Sequence, residues 1–443
     1  MDSTATLKDI PSQYSSLVDD SKREMFYELG LNSLLKKEFA LLILAGGLGT
    51  RLGAFGSKGI VKIGLKSDLS LFGLMAAKIK ALQTHIIGSS PPDSCRSFSI
   101  PWVILTSSLS HESIINHFKT QKFFGLEKHQ IIFIMQGQEV CSDFDGNPMK
   151  ISPTEPSISP NGNGGVFGAM RDSDLFSTLE ERGFPDVKYF QFIPVDNILV
   201  HPCYIEAVGM AIQNDIDFVN VCVQRSNPSE SVGYCAMRKI EPDSELHSIK
   251  KALGIGPSKS TSTPCIVEYS HMSEADKTRA NVRSFPWANI CIHVISRRLL
   301  NTIFDYSRAH KPDGKDILYG GALLPYHSAR KAIPYWDKKE KKIIKPSIPN
   351  GIKREMFLFD ILNAVDISRF GVYEVKRDDA FAPLKSKEDI KPCLSSLSSY
   401  HHSVAQKCGI RLKVEEQFDP ASFYDLKDLQ YQRRRFDWRF VII

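Results

Sequence analysis

The sequence predicts an α/β protein with a doubly wound, mostly parallel central sheet, a helical lead-in before it and a small domain after it. Three observations predict it. Short, continuous apolar runs alternate with apolar residues at helical spacing from Phe39 to Val223, the pattern of parallel strands joined by right-handed crossovers. The first run, 41–44, stops at Ala45, Gly46 and Gly47, as a buried strand does when its loop must approach something closely. Later runs also end in Gly, Asn or Asp, and an open parallel sheet binds ligands beyond the carboxyl ends of its strands.

Taken in order, residues 1–38 read as a polar helical lead-in with Met25, Phe26, Leu29, Leu31, Leu34 and Leu35 as its apolar positions. After the strand and loop at 39–59 comes a helix with Leu71, Leu74, Met75, Ile79, Leu82 and Ile86 on one face. A strand at 101–106, a helix through Ile114, Ile115 and Phe118, and a strand at Ile131–Met135 follow. The spacing then predicts a helix over 174–182 stopped by Gly183, a strand over 189–195, a helix over 202–213 and a strand over 217–223. Residues 232–294 are strand-rich, with 254–264 expected as a polar loop over the sheet edge. Lys338, Lys339, Lys341 and Lys342, broken by Glu340, read as a solvated hairpin turn. The pattern weakens from about Leu394. The expected division is therefore a lead-in at 1–38, a main domain at 39–393 and a small domain or arm at 394–443.

The chain has 443 residues, 42% of them hydrophobic and 24% charged, which suits a large globular core. The net charge of +6 is spread out and does not point to nucleic acid. Nine cysteines lie singly with no C-x-x-C pair, so a reducing, cytoplasmic setting without disulfides is expected. Cys222 and Cys291 sit in apolar runs and read as small core residues. No apolar run approaches the ~20 residues of a membrane helix, and no signal segment opens the chain, so no membrane partner is expected.

Four segments could carry chemistry. The loop after the first strand sets Arg51 and Lys58 among Gly47, Gly49, Gly53 and Gly56, offering backbone N–H groups and two cations to a polyphosphate. It is not a Walker loop, because Lys58 is followed by Gly59. Nor is it the dinucleotide fingerprint, because Gly47, Gly49 and Gly53 are spaced one residue too long. Gln136-Gly137 closes a strand with an amide that can both donate to and accept from a base edge. Residues 160–165, Pro-Asn-Gly-Asn-Gly-Gly, require unusual backbone angles and a close approach. Asp196, at the end of a buried strand, reads as a turn or N-cap residue or as a ligand for Mg²⁺, which takes one or two carboxylates plus substrate phosphates and water.

The stretch LAGGLGTRLG with Lys58-Gly59 resembles the signature of the UTP-dependent sugar-1-phosphate uridylyltransferases, in particular the eukaryotic-type UDP-N-acetylglucosamine pyrophosphorylases. That resemblance implies a Rossmann-like nucleotidyltransferase core, UTP and a sugar 1-phosphate as substrates, and Mg²⁺ as cofactor. It implies nucleotide contacts at Gly46, Gly47, Gly49, Gln136 and Gly162, and the metal on Asp196. Catalytic cations would be Arg51, Lys58 and Lys385, the last in FAPLK. The sugar end would use Asn163, Glu268 in VEYS, Asn289 in NI and Lys353 in NGIK. Two positions depart from the family: Gly168 where Arg is usual, and His271 where Glu is usual. The matches span Leu41 to Lys385, and the C-terminal part is shorter than in the eukaryotic enzymes, so a monomer or weak homo-oligomer is expected. The implied reaction is transfer of UMP from UTP to a hexose 1-phosphate, with N-acetylglucosamine as the preferred sugar. A UTP–glucose-1-phosphate uridylyltransferase, a broad-specificity UDP-sugar pyrophosphorylase and a catalytically silent nucleotide-sugar binder are the alternatives.

Overall fold

The structure is a computed structural model describing residues 7–14, 20–53, 56–89, 98–255, 262–268, 285–310, 316–413 and 416–420. Its strands in the first half are β1 (Leu7–Lys8), β2 (Phe39–Leu44), β3 (Trp102–Thr106), β4 (Ile131–Met135), β5 (Gln138–Val140), β6 (Ile158–Pro160), β7 (Tyr189–Pro194) and β8 (Phe218–Gln224). Those that follow are β9 (Tyr234–Lys239), β10 (Ser262–Val267), β11 (Trp287–Ser296), β12 (His327–Lys331), β13 (Tyr335–Asp337), β14 (Lys342–Ile344), β15 (Gly351–Glu355) and β16 (Phe370–Glu374). Ten of them form one sheet, ordered β1-β9-β11-β7-β2-β3-β4, with β8 on β11, β16 on β8 and β10 on β9.

Strands β7, β2, β3 and β4 pair in parallel. Successive side chains of β2 enter opposite cores. Phe39, Leu41 and Ile43 face α1 (Asp20–Leu35), α2 (Leu71–Ser89), α3 (His111–Thr120) and α6 (Ile205–Gln213). Ala40 and Leu42 face α4 (Gly165–Asp172), α5 (Leu175–Glu181) and α8 (Arg297–Ala309). Helices therefore cover both faces, and each fully buried Leu, Ile or Phe contributes about 1.5–3 kcal/mol.

The expectation of a mostly parallel sheet needs correcting: the sheet is mixed. Strand β11 is inserted between β7 and β8 and runs antiparallel to both, and β9 pairs antiparallel with β1, β10 and β11. The β7–α6–β8 unit thus joins two strands of the same direction that are not neighbours. The lead-in does more than add a helix, since Leu7 and Lys8 extend the sheet beside β9. Its helix α1 docks on α6 where Gly30 and Gly209 bring the backbones together; a Cβ on Gly209 would stand 1.7 Å from the carbonyl oxygen of Phe26.

Two further expectations change. Residues 262–264 belong to β10 and not to a loop, and α7 (Glu245–Ala252) interrupts the strand-rich stretch. The Lys-rich segment is a hairpin turn between β13 and β14, as its composition predicts. The helix α9 (Ile390–Lys407) runs through residues 393 and 394, where a boundary was expected. Its Cys393, Leu397 and Val404 share a core with Leu52, Leu74, Leu199 and Leu384, so it is anchored to the strand-end loops. Residues 421–443 of the expected small domain or arm lie outside the described residues.

Candidate active site

The glycine loop leaves β2 and folds back on itself, with Leu48 bridged to Ser57 and the Gly49 N–H donating to the Gly56 carbonyl at 2.8 Å. Buried Ser57 fixes its root. It donates to the Ala45 carbonyl at 3.0 Å and accepts from Gly59 N–H at 3.2 Å, opening the turn Lys58–Ile60. Gly59 is required by contact: a Cβ there would stand 2.2 Å from the ring of Phe72. This turn aims Lys58 across the sheet at Asp196, and Nζ donates to Oδ2 at 2.5 Å over a sequence separation of 138. Asp196 follows the end of β7, the strand beside β2.

Around this pair the loop presents open backbone. Nothing lies within 4 Å of where a Gly47 Cβ would stand. Arg51 is exposed and has no ion pair among the described residues. A further cation, Lys387, reaches the same loop, its Nζ 2.7 Å from the position of a Gly53 Cβ. No motif marked Lys387.

Gln136 is buried just beyond β4, its amide against Gly46, 3.0 Å from the position of a Cβ there. The following Gly137 accepts the N–H of Asn161 at 3.1 Å, which ties this loop to residues 160–165. Gly162 has φ +88° and lies against the Met356 main chain, where a Cβ would stand 2.3 Å from its carbonyl oxygen. Asn161 is fully buried between Gly137 and Gly165, and neither end of its amide has a partner among the described residues. The residue Gly168, where the family has Arg, faces the hydroxyl of Tyr319, which itself donates to Asp172 at 2.7 Å.

Three of the four residues expected at the sugar end, Asn163, Asn289 and Glu268, gather around Cys291. Asn163 accepts from Leu358 N–H at 2.9 Å and directs its amide nitrogen to Cys291 Sγ at 3.8 Å. Asn289 accepts the Cys291 N–H at 3.1 Å. Glu268 lies just past β10 beside Gly233, whose carbonyl accepts from Asn289 N–H. Burial pushes the Glu268 carboxyl above its usual range, opposed by the nearby charge of Lys385. Burial, with the charges of Asp196 and Glu268, pushes the Cys291 thiol up to about 12.

The expectation that Cys291 is a core residue is therefore corrected. Its pairing register with β8 shifts between Asn289 and Ile292, its φ is +60°, and it is half-buried at the site. Cys222 is a core residue as expected, 3.5 Å from Cys235. Among the described residues every cysteine is a free thiol.

Lys385 is exposed, with its main chain held beside Asp196: Leu384 N–H donates to the Asp196 carbonyl at 2.7 Å. Lys353 is different. It lies within β15, opposite Ala329, and no hydrogen bond or ion pair among the described residues joins it to the others. Tyr269, Ser270 and His271 lie outside the described residues.

Asp196 can be tested as an Mg²⁺ ligand by its donor set. Among the described residues no group of three His, Cys, Asp or Glu could enclose a metal. A lone, quarter-exposed carboxylate at a strand end still fits Mg²⁺, whose other ligands come from substrate phosphates and water.

Glycine-loop backbone, an amide beside it, cations and one carboxylate at the ends of parallel strands make a place suited to a nucleotide's phosphates. Comparison with known proteins narrows this. Residues 7–249 match the family model described as UTP--glucose-1-phosphate uridylyltransferase, and the chain belongs to that family. It is a UTP-dependent sugar-1-phosphate uridylyltransferase by class. It is 32% identical over 381 residues to the UDP-N-acetylglucosamine pyrophosphorylase of Saccharomyces cerevisiae, covering 85% of this chain and 70% of that protein. It is 29% identical over 392 residues to UDP-N-acetylglucosamine diphosphorylase 2 of Arabidopsis thaliana, covering 86% and 68%. The fold resembles the uridine diphosphate N-acetylglucosamine pyrophosphorylase of Trypanosoma brucei with a TM-score of 0.72 at 22% identity, covering 97% of this chain and 83% of that one. Among the described residues no helix is long and apolar enough to cross a membrane.

Proposed function

We propose that the chain transfers the uridylyl group of UTP to N-acetylglucosamine 1-phosphate and releases pyrophosphate. The observation that carries this reading is the meeting of Lys58, Asp196 and the Lys385 segment at adjoining strand ends, with Asn163, Glu268 and Asn289 gathered beside them. The names of the relatives in yeast and Arabidopsis support the choice of sugar.

The sugar phosphate is largely a dianion at pH 7, since a phosphate monoester has its second pKa near ~6, so its oxygen attacks the α-phosphorus without a general base. Alignment and cations do the rest. Gln136, beside Gly46, holds the base. Arg51 and Lys58 hold the departing pyrophosphate, and Lys385 holds the sugar phosphate. In the free protein Lys58 and Asp196 neutralise each other. Phosphate oxygens arriving with UTP draw Lys58 away and leave Asp196 to hold Mg²⁺, which when bound neutralises charge on the α-phosphate. Glu268, Asn163 and Asn289 read the hexose through its hydroxyl and amide groups, which makes a sugar lacking them a poor substrate.

Glucose 1-phosphate is expected as a weaker substrate, because water can fill the room left by the missing acetamido group. A pyrophosphate-release assay with UTP and the 1-phosphates of N-acetylglucosamine, glucose and galactose tests the reading. A higher kcat/KM for glucose would overturn the sugar, and no release with any of them would overturn the reaction.

A further inference from the structure

We infer that Asn197 is a positioning residue that sets Lys385 against Asp196, so that the metal carboxylate and the sugar-phosphate lysine move as one unit. The inference rests on the roles proposed above for those two residues. Asn197 is buried, 2% exposed, and touches no open space. Its amide nitrogen donates to the Ala380 carbonyl at 2.7 Å, and its Oδ1 accepts the Ala382 N–H at 2.9 Å and the Leu199 N–H at 3.3 Å. One side chain thus grips the segment leading to Lys385 from both polarities, and ties it to the turn after Asp196.

The main chain adds the register. Asn197 bridges to Pro383, Ile198 N–H donates to the Ala382 carbonyl at 3.3 Å, and Leu384 N–H donates to the Asp196 carbonyl at 2.7 Å. Residues 381–385 belong to no helix or strand of the sheet, so these bonds, together with the burial of Ala382 and Leu384 in the core shared with α9, place them. Beyond the lysine, Asp389 Oδ2 accepts the N–H groups of Lys385 at 2.9 Å and Ser386 at 2.7 Å. Lys385 therefore has a clamped backbone and an exposed, reaching side chain. Beneath the same turn, the half-buried Lys78 donates from Nζ to the Ile198 carbonyl at 2.7 Å and the Val200 carbonyl at 3.0 Å, closing it from the other side. A group that needs alignment of two anions gains from such a connection, because a misplacement of ~1 Å costs about 100-fold.

The test is a double-mutant cycle on KM and kcat. Asn197→Asp is nearly isosteric and keeps the acceptor for Ala382 and Leu199, but sets an oxygen against the Ala380 carbonyl. The expected result is a rise of about 10-fold or more in KM for N-acetylglucosamine 1-phosphate with KM for UTP unchanged. In a Lys385→Ala background the same substitution should add less than about twofold, since a residue acting through Lys385 has nothing left to position. Asp389→Ala, on the exposed side of the clamp, loosens the same lysine without touching the buried turn, and should show the same selective rise and the same loss of effect. An equal rise in the Lys385→Ala background, or a rise in both KM values together, would overturn the inference while the wild-type turnover stands. No turnover in the wild-type chain would instead overturn the proposed reaction, and the inference with it.

Discussion

Replacing Lys58 with alanine should separate a transition-state role from a structural one. The Lys58 and Asp196 side chains are 14% and 25% exposed and meet at 2.5 Å. Removing the ammonium leaves Asp196 without its partner, but a quarter of that carboxylate already faces water. The stability cost is therefore on the order of 1 kcal/mol, short of the 3–5 kcal/mol of a fully buried pair. Turnover should fall much further. Loss of one preorganised charge-stabilising group costs about 100- to 1,000-fold, or about 2.7–4 kcal/mol of barrier. The assay is initial-rate pyrophosphate release over UTP and Mg²⁺ series, with thermal unfolding run beside it. Because Lys58 occupies Asp196 in the free protein, its removal should also lower the Mg²⁺ concentration for half-maximal rate. A variant with normal kcat and only a raised KM for UTP would refute the transition-state role. An unchanged or raised Mg²⁺ requirement would refute the competition for Asp196.

Three further outcomes are expected. Asp196→Asn should keep the fold and lose most Mg²⁺-dependent turnover, since the amide lacks the charge that draws a hard cation; an unchanged rate and Mg²⁺ dependence would place the metal elsewhere. Gly59→Ala should lower stability by about 1–3 kcal/mol, because its Cβ would stand 2.2 Å from the ring of Phe72, itself held edge-on by Phe118 at 5.1 Å. Thermal unfolding checks it, and an unshifted Tm would show that the ring yields. Glu268→Gln should stabilise the protein at neutral pH. Burial raises the Glu268 pKa above its usual 4.5, so the folded state binds the proton more tightly and stability falls as pH rises through 4.5 toward the folded pKa. The gain in Tm should be present at about pH 7.5 and shrink toward about pH 4; a pH-independent difference would refute the assignment.

The parallel half of the sheet was legible because strands buried on both faces read as unbroken apolar runs, and β2, β3, β4 and β7 lie within a residue or so of their expected bounds. The other half was not, for reasons that differ strand by strand. An apolar run has the same composition whether its neighbour is parallel or antiparallel, so β11 gave no sign of separating β7 from β8. Strand β1 is two residues long and carries no periodicity. The letters of β10, Ser262-Thr263-Pro264, read as a turn. Among the described residues it pairs only with β9, and an edge strand tolerates a proline that cannot donate. Helix α7 was passed over by the strand-rich reading although its signals were local: Ser244 caps it by accepting His247 N–H, Glu245 opens it and Lys250 and Lys251 close it.

At the site, short-range chemistry was readable and long-range placement was not. Glycines, amides and a carboxylate at strand ends stand out against the apolar runs, but Gly, Asn and Asp also serve ordinary turns there, and the family resemblance is what singled these out. Cys291 did not stand out, since alternation along Trp287–Ser296 gives no warning of a bulge, and a one-residue shift of register turns a side chain to the other face. The Asn two residues before it, whose Oδ1 takes the Cys291 N–H, was the available sign. The two lysines make the same point more sharply. Lys353 and Lys385 each follow a Gly or Pro by two residues and looked alike. Lys353 is one rung of a two-stranded ladder with β12, whereas Lys385 ends a segment bound to Asp196 and Asn197 across a sequence separation of 183 to 188 residues. What distinguishes the lysine proposed to hold the sugar phosphate from a strand residue here is where its backbone is tethered, and that tether includes an asparagine amide whose partners no local pattern could supply.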